Sequence, residues 1–269
     1  MTRFQGKVAI ITGSSSGIGA ATALLFAKEG AKVTITGRKQ HGLEATKKAI
    51  LGAGVCSDDV NTVQADVTDA HERERIISST IQKFGRLDIL VNNAGGTFLS
   101  PDGSAGLKAS TDLLKKTMDV NVYSVVELIQ LARPYLVLSK GEIVNVSSIA
   151  GLPTAAALDQ MMRAVAIELI AEGVRVNNVS PGGVMTNIAQ NSGVSDEVAA
   201  KFYATYARNP FEVPSGRIAQ PSEIATVIAF LADRSQSSYI VGQTIVADGG
   251  SSIVLASNAD VPVKETTQF

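Results

Sequence analysis

The sequence contains too few cysteines and histidines for two common kinds of site. Its single cysteine, Cys56, cannot form a disulfide within the chain. Its two histidines, His41 and His71, leave few metal ligands, and we expect no metal site. Because the first apolar strand begins at residue 7, there is no room for a signal peptide, and we expect a cytoplasmic protein.

Charge of one sign and long apolar runs are also scarce. The formal net charge is −1 and the pI is about 6.2, with no block of like charges, so the sequence predicts neither a nucleic-acid nor a membrane partner. No apolar run approaches the ~20 residues that a membrane-spanning helix needs. A hydrophobic share of 45% in 269 residues is enough for a sizeable core, in one large α/β domain or two smaller ones.

The stretch KVAIITGSSSGIG, residues 7–19, is the strongest local feature that is present. Its apolar, β-branched start predicts a buried strand, and the helical pattern behind it ends near Gly30. Gly13, Gly17 and Gly19 would let the backbone approach a phosphate at the helix N-terminus, where N–H groups lack partners. Because the glycine spacing differs from the usual dinucleotide fingerprint, a tight strand-to-helix turn without a ligand is the alternative.

The rest of the chain alternates between apolar strands and helices. Together with residues 7–12, strands are predicted at residues 31–36, 60–65, 87–91, 142–146, 174–179 and 243–247. Further helices are predicted at residues 40–51, 69–84, 110–139, 156–171 and 221–232. Pro134 is expected to kink or end the helix at 110–139.

Apolar strands separated by helices are typical of a parallel sheet that is covered on both faces. We therefore predict an α/β fold, a single doubly wound Rossmann domain with a seven-stranded parallel sheet and helices on both faces. This nucleotide-binding domain is predicted to span residues 1–257, and residues 258–269 are predicted to form a polar C-terminal tail.

The end of the second strand indicates which nucleotide is bound. In a doubly wound fold this strand end, about 20 residues past the glycines, meets the adenosine ribose, and an acid there selects NAD(H). Here the sequence is Thr36, Gly37, Arg38 and Lys39, with no acid before Glu44. Two cations, and an Arg fork above all, suit a 2′-phosphate, so we predict NADP(H) as the cofactor. The alternative is that both are solvated surface charges.

With these residues assembled, the chain resembles the classical short-chain dehydrogenase/reductase family over nearly its full length. Residues 12–19 (TGSSSGIG), 92–95 (NNAG) and 181–186 (PGGVMT) match the family's glycine loop, the motif after its fourth strand and the loop that closes on the nicotinamide. The resemblance implies these cofactor-binding residues: Gly13, Ser15, Ser16, Gly17, Ile18, Gly19, Arg38, Asp66, Val67, Asn93, Ala94, Gly95, Pro181, Gly182, Val184 and Thr186. It implies two catalytic residues, Asn121 in MDVNV and Ser148 in VSSIAG.

The family's Tyr-x-x-x-Lys pair is missing from its expected place. In the family, the Tyr hydroxyl exchanges a proton with the substrate oxygen, and the nearby Lys charge lowers its pKa. Counting forward from Ser148 puts Met161 and Val165 at the two positions, whereas anchoring on the following helix puts Gly151 and Ala155 there. Neither register contains the pair.

By the same comparison, about eleven residues are missing between Ala155 and Ala156. Either the sequence has lost a segment that the protein contains, or the protein lacks that segment. The intact state of every other motif favours the first explanation, and the continuous numbering favours the second.

The resemblance implies an NADP(H)-dependent oxidoreductase that interconverts a small-molecule alcohol and a carbonyl by hydride transfer. Ser148 would bind the substrate oxygen and Asn121 would support the proton path. A pseudoenzyme that binds NADP and acts as a binding or structural subunit is the alternative. The resemblance also implies a homodimer or homotetramer formed through the helices at 110–139 and 156–171, and a substrate pocket walled by residues 97–109 and 184–214.

Overall fold

Seven parallel strands form one sheet at the centre of the molecule. The computed structural model describes residues 2–96, 98, 110–150, 153–191, 194–208 and 213–254. The strands are β1 (Val8–Ile11), β2 (Lys32–Gly37), β3 (Val60–Gln64), β4 (Ile89–Asn92), β5 (Glu142–Val146), β6 (Arg175–Pro181) and β7 (Thr244–Ala247). Their order is β3-β2-β1-β4-β5-β6-β7, and all neighbours are parallel. The predicted tail at 258–269 lies outside the described residues.

Helices cover both faces of this sheet. They are α1 (Gly17–Lys28), α2 (Gln40–Gly52), α3 (Ala70–Phe84), α4 (Thr111–Met118), α5 (Ser124–Ser139), α6 (Pro153–Ile170), α7 (Ile188–Asn191), α8 (Asp196–Arg208), α9 (Pro221–Ala232) and α10 (Arg234–Ser237). Apolar side chains of α1, α2 and α9 pack on one face, and those of α3, α5 and α6 pack on the other. The predicted doubly wound Rossmann fold is therefore confirmed. Within the described ranges, no helix has the length and apolar character to cross a lipid bilayer.

The strand order creates a crevice beside β1 and β4. The chain proceeds from β1 to β2 on one side and from β4 to β5 on the other, so the segments that leave these two neighbouring strands diverge. Ligands of doubly wound proteins bind where the order reverses in this way, beyond the carboxyl ends of the strands. The glycine loop follows β1, and Asn93 follows β4, so both predicted cofactor motifs lie at this crevice.

The long helix predicted at residues 110–139 is divided in two. Ser110 caps α4, its hydroxyl accepting from the Leu113 N–H at 3.4 Å. One turn of π-helix at Asp119–Tyr123 then separates α4 from α5, and it contains Asn121. Pro134 lies inside α5 and does not end it, so the expected interruption occurs at the asparagine instead. π-Turns are frequent at functional sites, where they reorient a side chain.

Helix α6 begins at Pro153, three residues before the predicted start at Ala156. The predicted start at residue 156 is therefore wrong by three residues. Proline is favoured in the first turn of a helix, and the alanines that follow it have the highest helix propensity. The helix therefore runs without interruption through Ala155 and Ala156, where the missing segment was placed.

A row of three buried amide side chains joins β4, β5 and β6 just below the crevice. Asn92 Nδ2 donates to Asn145 Oδ1 at 2.8 Å, and Asn145 Nδ2 donates to Asn178 Oδ1 at 2.9 Å. Asn178 Nδ2 then donates to Asp159 Oδ1 on α6 at 2.9 Å. Because a carboxylate only accepts, Asp159 sets the direction of all three amides. This amide row fixes α6 and the three strands in one register.

A buried ion pair anchors the opposite ends of β5 and β6. Arg175, 1% exposed, donates to the carbonyls of Leu231 at 2.9 Å and Ser237 at 2.6 Å, and it lies 2.7 Å from Glu142. Burial is the largest influence on both groups: it raises the pKa of Glu142 and lowers the pKa of Arg175, and each partner's charge opposes the shift. Both ends of these strands are thus held by polar contacts.

We predict that Asn145→Ala lowers the free energy of unfolding by about 2–5 kcal/mol, because it leaves the Asn92 donor and the Asn178 acceptor buried without partners, at about 1–3 kcal/mol each. Urea denaturation measures this change. Asn187→Ala, at an exposed asparagine, is the control and should change stability by less than about 0.5 kcal/mol. Equal effects of the two substitutions would show that the amide row contributes nothing to stability.

Candidate functional site

The segment after β1 forms a tight turn whose glycines are required by its geometry. Gly13 and Gly17 have φ of 64° and 57°, in the left-handed region that favours glycine. A Cβ on Gly19 would lie 2.5 Å from the Gly13 carbonyl oxygen. Ser16 precedes α1 without a side-chain capping bond, so the first-turn N–H groups remain available to an anion. The turn therefore fits the pyrophosphate of a nucleotide.

Thr12 connects this turn to the motif after β4. Its hydroxyl oxygen accepts from the N–H groups of Asn93 and Ala94, both at 2.9 Å. Asn93 Nδ2 returns a bond to the Thr12 carbonyl at 2.9 Å. A Cβ on Gly13 would lie 2.8 Å from the Ala94 Cα, which shows how closely the two segments pack. The structure thus brings together two motifs that are separate in the sequence.

Ser14 connects the same turn to β2, and sequence analysis missed its role. The residue is fully buried, and its hydroxyl donates to the Ile11 carbonyl at 2.8 Å and accepts from the Thr36 N–H at 2.8 Å. Its own carbonyl accepts from the Thr46 hydroxyl on α2 at 2.9 Å. One of three adjacent serines carries no local signal of burial, because two of its partners, Thr36 and Thr46, are distant in the chain.

Arg38 lies at the end of β2, beside the cavity where the adenosine end is expected. The cavity has a volume of about 500 Å³ and is lined by Arg38, Gln64, Ala65, Asp66, Glu72 and Arg75. Arg38 Nη1 is 3.9 Å from Asp66 Oδ2, and Gln64 Nε2 donates to the Arg38 carbonyl at 3.0 Å. Val67 is buried next to Asp66, and its carbonyl accepts from Arg73 at 2.6 Å. The predicted adenosine residues are therefore close together.

Asn121 uses its side-chain amide to hold the chain that follows β4. Its Oδ1 accepts from the Gly96 N–H at 2.9 Å, and its Nδ2 donates to the Gly96 carbonyl at 2.9 Å and to the Thr154 hydroxyl at 3.3 Å. A Cβ on Gly95 would lie 3.2 Å from the Asn121 Oδ1. Asn121 thus positions the rim of the crevice and the first turn of α6.

Ser148 lies in the segment after β5, next to the end of β6. Its hydroxyl oxygen accepts from the Ala150 N–H at 3.1 Å, which leaves its O–H able to donate. The N–H of Ile149 donates to the Pro181 carbonyl at 3.1 Å, so Ser148 and the start of the predicted closing loop are neighbours.

Gly182 follows β6 and packs directly on Asp248. A Cβ there would lie 2.8 Å from the Asp248 Cα. Burial, the largest influence, raises the pKa of Asp248, but hydrogen bonds from the hydroxyl and N–H of Ser252 and from the Gly250 N–H together lower it. A charged Asp248 therefore holds the chain beneath Gly182.

The segment at residues 184–191, here called the closing segment, lies against the glycine turn. Val184 is buried and pairs with Ala219, whose carbonyl accepts from the Met185 N–H at 2.9 Å. The Thr186 Cγ2 lies 3.1 Å from the position that a Cβ on Gly17 would take. The structure therefore places Thr186 beside the start of α1, close to Ile18 and the phosphate turn.

Comparisons with known proteins agree with this geometry. A family model described as Enoyl-(Acyl carrier protein) reductase matches residues 13–252. The chain is similar to a short-chain dehydrogenase/reductase of unknown function from Caenorhabditis elegans, solved with cofactor, with a TM-score of 0.93, 47% identity, and coverage of 95% of this chain and 98% of that one. It is also similar to glucose dehydrogenase of Caenorhabditis elegans in the apo-form, with a TM-score of 0.80, 49% identity, and coverage of 94% and 100%.

The chain belongs to the short-chain dehydrogenase/reductase family. L-fucose dehydrogenase of Mus musculus is 32% identical to it over 265 residues, which include 94% of this chain and 91% of the mouse protein.

This short-chain dehydrogenase/reductase has no Tyr and Lys at the start of α6. Thr154 and Ala155 occupy the first turn, and Thr154 is bonded to Asn121. Tyr203 on α8 is near the closing segment, because its hydroxyl donates to the Thr186 carbonyl at 3.4 Å. The residues four positions before and after it are alanines, so it has no lysine one helical turn away. Gly151, the other position considered for the tyrosine, lies outside the described residues.

We predict that Gly17→Ala weakens binding of NADPH and NADH alike by at least about tenfold. A Cβ there would force a left-handed residue, at about 1–2 kcal/mol, and would press on Thr186. Fluorescence titration of the reduced nucleotide measures affinity. Gly54→Ala is the matched control, because Gly54 also has a positive φ of 89° but nothing lies within 4 Å of its added Cβ. Unchanged affinity in a folded Gly17→Ala protein would refute the phosphate-binding role of the turn.

Proposed function

We propose that this protein is an NADP(H)-dependent oxidoreductase that interconverts a small-molecule alcohol and a carbonyl by hydride transfer. The observation that carries the cofactor choice is the end of β2, where Arg38 and Lys39 occupy the place of the acid that would select NAD(H). Arg38 lines the adenosine cavity with its side chain largely exposed, so its guanidinium is accessible to a 2′-phosphate.

The charge around the two neighbouring helix N-termini also supports a phosphorylated nucleotide. Neither α1 nor α2 carries an acidic residue in its first turn. Helices α3, α4, α8 and α9 each carry at least one there, so the absence is not general in this chain. A helix N-terminus attracts anions, and a carboxylate would compete with phosphate for it.

When bound, the nicotinamide would supply or accept the hydride, and the chain's own residues would orient the reactants. The free O–H of Ser148 would donate to the substrate oxygen. Asn121 would support the proton path by holding Gly96 and Thr154 at the rim of the crevice. Two of the similar proteins are named as sugar dehydrogenases, which supports an alcohol or carbonyl as the substrate class.

A pseudoenzyme that binds NADP as a binding or structural subunit is the second candidate. Its basis is the absence of a Tyr-x-x-x-Lys pair from α6, which runs through Ala155 and Ala156 and is bonded through Thr154 and Asp159. The glycine turn and the cations at the end of β2 do not include that pair. The two candidates therefore agree on binding and differ on turnover.

We also propose that the chain forms a homodimer or homotetramer through α5 and α6. Leu138 on α5 and Ile167 on α6 are 85% and 75% exposed, and an interface formed by these two helices would bury them. Sedimentation of the purified protein would test this, and a monomer at all concentrations would refute it.

We predict that NADPH binds more tightly than NADH, and that Arg38→Asp reverses the order, because a carboxylate repels a 2′-phosphate and accepts from a ribose hydroxyl. Fluorescence titration with both nucleotides measures the ratio. Lys48→Asp on α2 changes the net charge equally at an exposed position and serves as the control. Equal or tighter binding of NADH by the unmutated protein would overturn the cofactor proposal.

If the purified protein has the 28.0 kDa mass of this sequence, we predict that it binds NADPH but reduces carbonyls slowly. Its rate should be about 10²–10⁴-fold below that of a protein with a Tyr-x-x-x-Lys segment between Ala155 and Ala156. The loss follows from the missing general acid. Intact mass, a transcript across this junction and absorbance of the reduced nicotinamide are the measurements. Rapid turnover by the 28.0 kDa chain would mean that another residue supplies the proton.

A further inference from the structure

One hydrogen bond crosses between the closing segment and the start of α2. Lys39 Nζ donates to Asn191 Oδ1 at 2.7 Å, joining residues that are 152 positions apart in the chain. Lys39 directly precedes α2, and Asn191 is the last residue of α7. None of the motifs that define the cofactor site includes Asn191.

The backbone of Lys39 is held rigidly relative to the phosphate turn. Its carbonyl accepts from the Leu43 N–H at 3.1 Å in the first turn of α2. The same turn packs on Ser15 so closely that a Cβ on Gly42 would lie 2.5 Å from the Ser15 carbonyl oxygen. The Thr46 hydroxyl of α2 also donates to the Ser14 carbonyl in the phosphate turn. The side chain of Lys39 therefore extends from a backbone position that is fixed relative to the phosphate turn.

The closing segment contacts both phosphate-facing helix ends. Thr186, at its beginning, lies against Gly17 at the start of α1. Asn191, at its end, holds Lys39 at the start of α2. Together with the packing of Gly42 on Ser15, these contacts connect the closing segment, α2 and the phosphate turn. They border the region between the phosphate turn and the end of β2. Arg38 lies at the same strand end.

The chemistry of the Lys39 partner matters, because Asn191 is neutral. Arg38 and Arg75, which line the adenosine cavity, have the carboxylates of Asp66 and Glu72 near them. Among the described residues, no carboxylate lies within ion-pair distance of Lys39. An amide oxygen orients one N–H of the ammonium without cancelling its charge, and two further donors remain. This arrangement suits an ammonium held ready for a second, anionic partner.

We infer that Lys39 and Asn191 form a specificity-determining pair for the 2′-phosphate of NADP(H), in which Asn191 is a positioning residue that holds the Lys39 ammonium for that phosphate. The inference rests on the proposed cofactor. Because the same amide belongs to the closing segment, binding of the 2′-phosphate and closure of the segment favour each other, as linkage requires. NAD(H), which has no 2′-phosphate, receives no such contribution.

The test is a double-mutant cycle with Lys39→Gln, Asn191→Ala and the double variant, with dissociation constants for NADPH and NADH measured by fluorescence titration. Each single substitution should weaken NADPH binding about threefold to tenfold, as expected for one partly exposed hydrogen bond to a charged group. The double variant should be no weaker than the weaker single variant, because both substitutions remove one arrangement. NADH binding should not change.

Asn191→Asp distinguishes two roles of Asn191: positioning the charged Lys39 ammonium for a phosphate, and merely attaching the closing segment to α2. A carboxylate would hold Lys39 more strongly than the amide does, so a purely structural contact would be kept or improved. If the pair acts on the phosphate, Asn191→Asp should weaken NADPH binding more than Asn191→Ala, because it neutralises Lys39 and repels the anion. Lys48→Gln on α2 is a matched control at an exposed position and should leave the binding of both nucleotides unaffected.

The outcomes are distinguishable from failure of the proposed function. NADPH preference together with multiplicative losses in the double variant, or with NADH affected equally, overturns the pair and leaves the cofactor proposal standing. Absence of any NADPH preference in the unmutated protein overturns both. All variants are at exposed side chains, and circular dichroism verifies that each is folded.

Discussion

The contact between Thr12 and the segment after β4 is the interaction on which the rest of the site depends. One hydroxyl oxygen accepts from two consecutive N–H groups, those of Asn93 and Ala94, and thereby ties the ends of the two strands that border the crevice. Gly13 lies close enough to Ala94 that no Cβ fits between them. If these strand ends separated, the phosphate turn would no longer be held at a fixed position relative to the segment after β4.

The same junction is supported from below and from the side. The amide row joins β4 to β5 and β6. It therefore fixes the positions of Asn93, Ser148 and Pro181, which lie at or just after the ends of these strands. Ser14 performs the equivalent task for β2 and therefore for Arg38. Buried polar networks in which nearly every group is paired rigidify a structure, and here that rigidity lies directly beneath a binding site.

Helix α6 shows how the fold tolerates the departure from the family pattern. Asp159 holds it to β6, and Thr154 holds its first turn to Asn121. These two contacts place the helix on the sheet although it lacks the Tyr-x-x-x-Lys pair. The residues expected to bind the nucleotide phosphates, at the glycine turn and at the end of β2, lie on other elements than the segment between β5 and α6.

Local patterns in the sequence were enough to predict the alternation of strands and helices, and they are also the basis of the predictions for the phosphate turn, for the cations at the end of β2 and for the shortage before Ala156. These features depend on residues that are near one another in the chain, where hydrophobic period and glycine spacing are informative. Tertiary structure alone decided the π-turn at Asn121, the amide row and the Lys39–Asn191 contact. Each joins or adjusts residues whose meeting depends on how the elements pack, and periodicity along one segment carries no information about its distant partner.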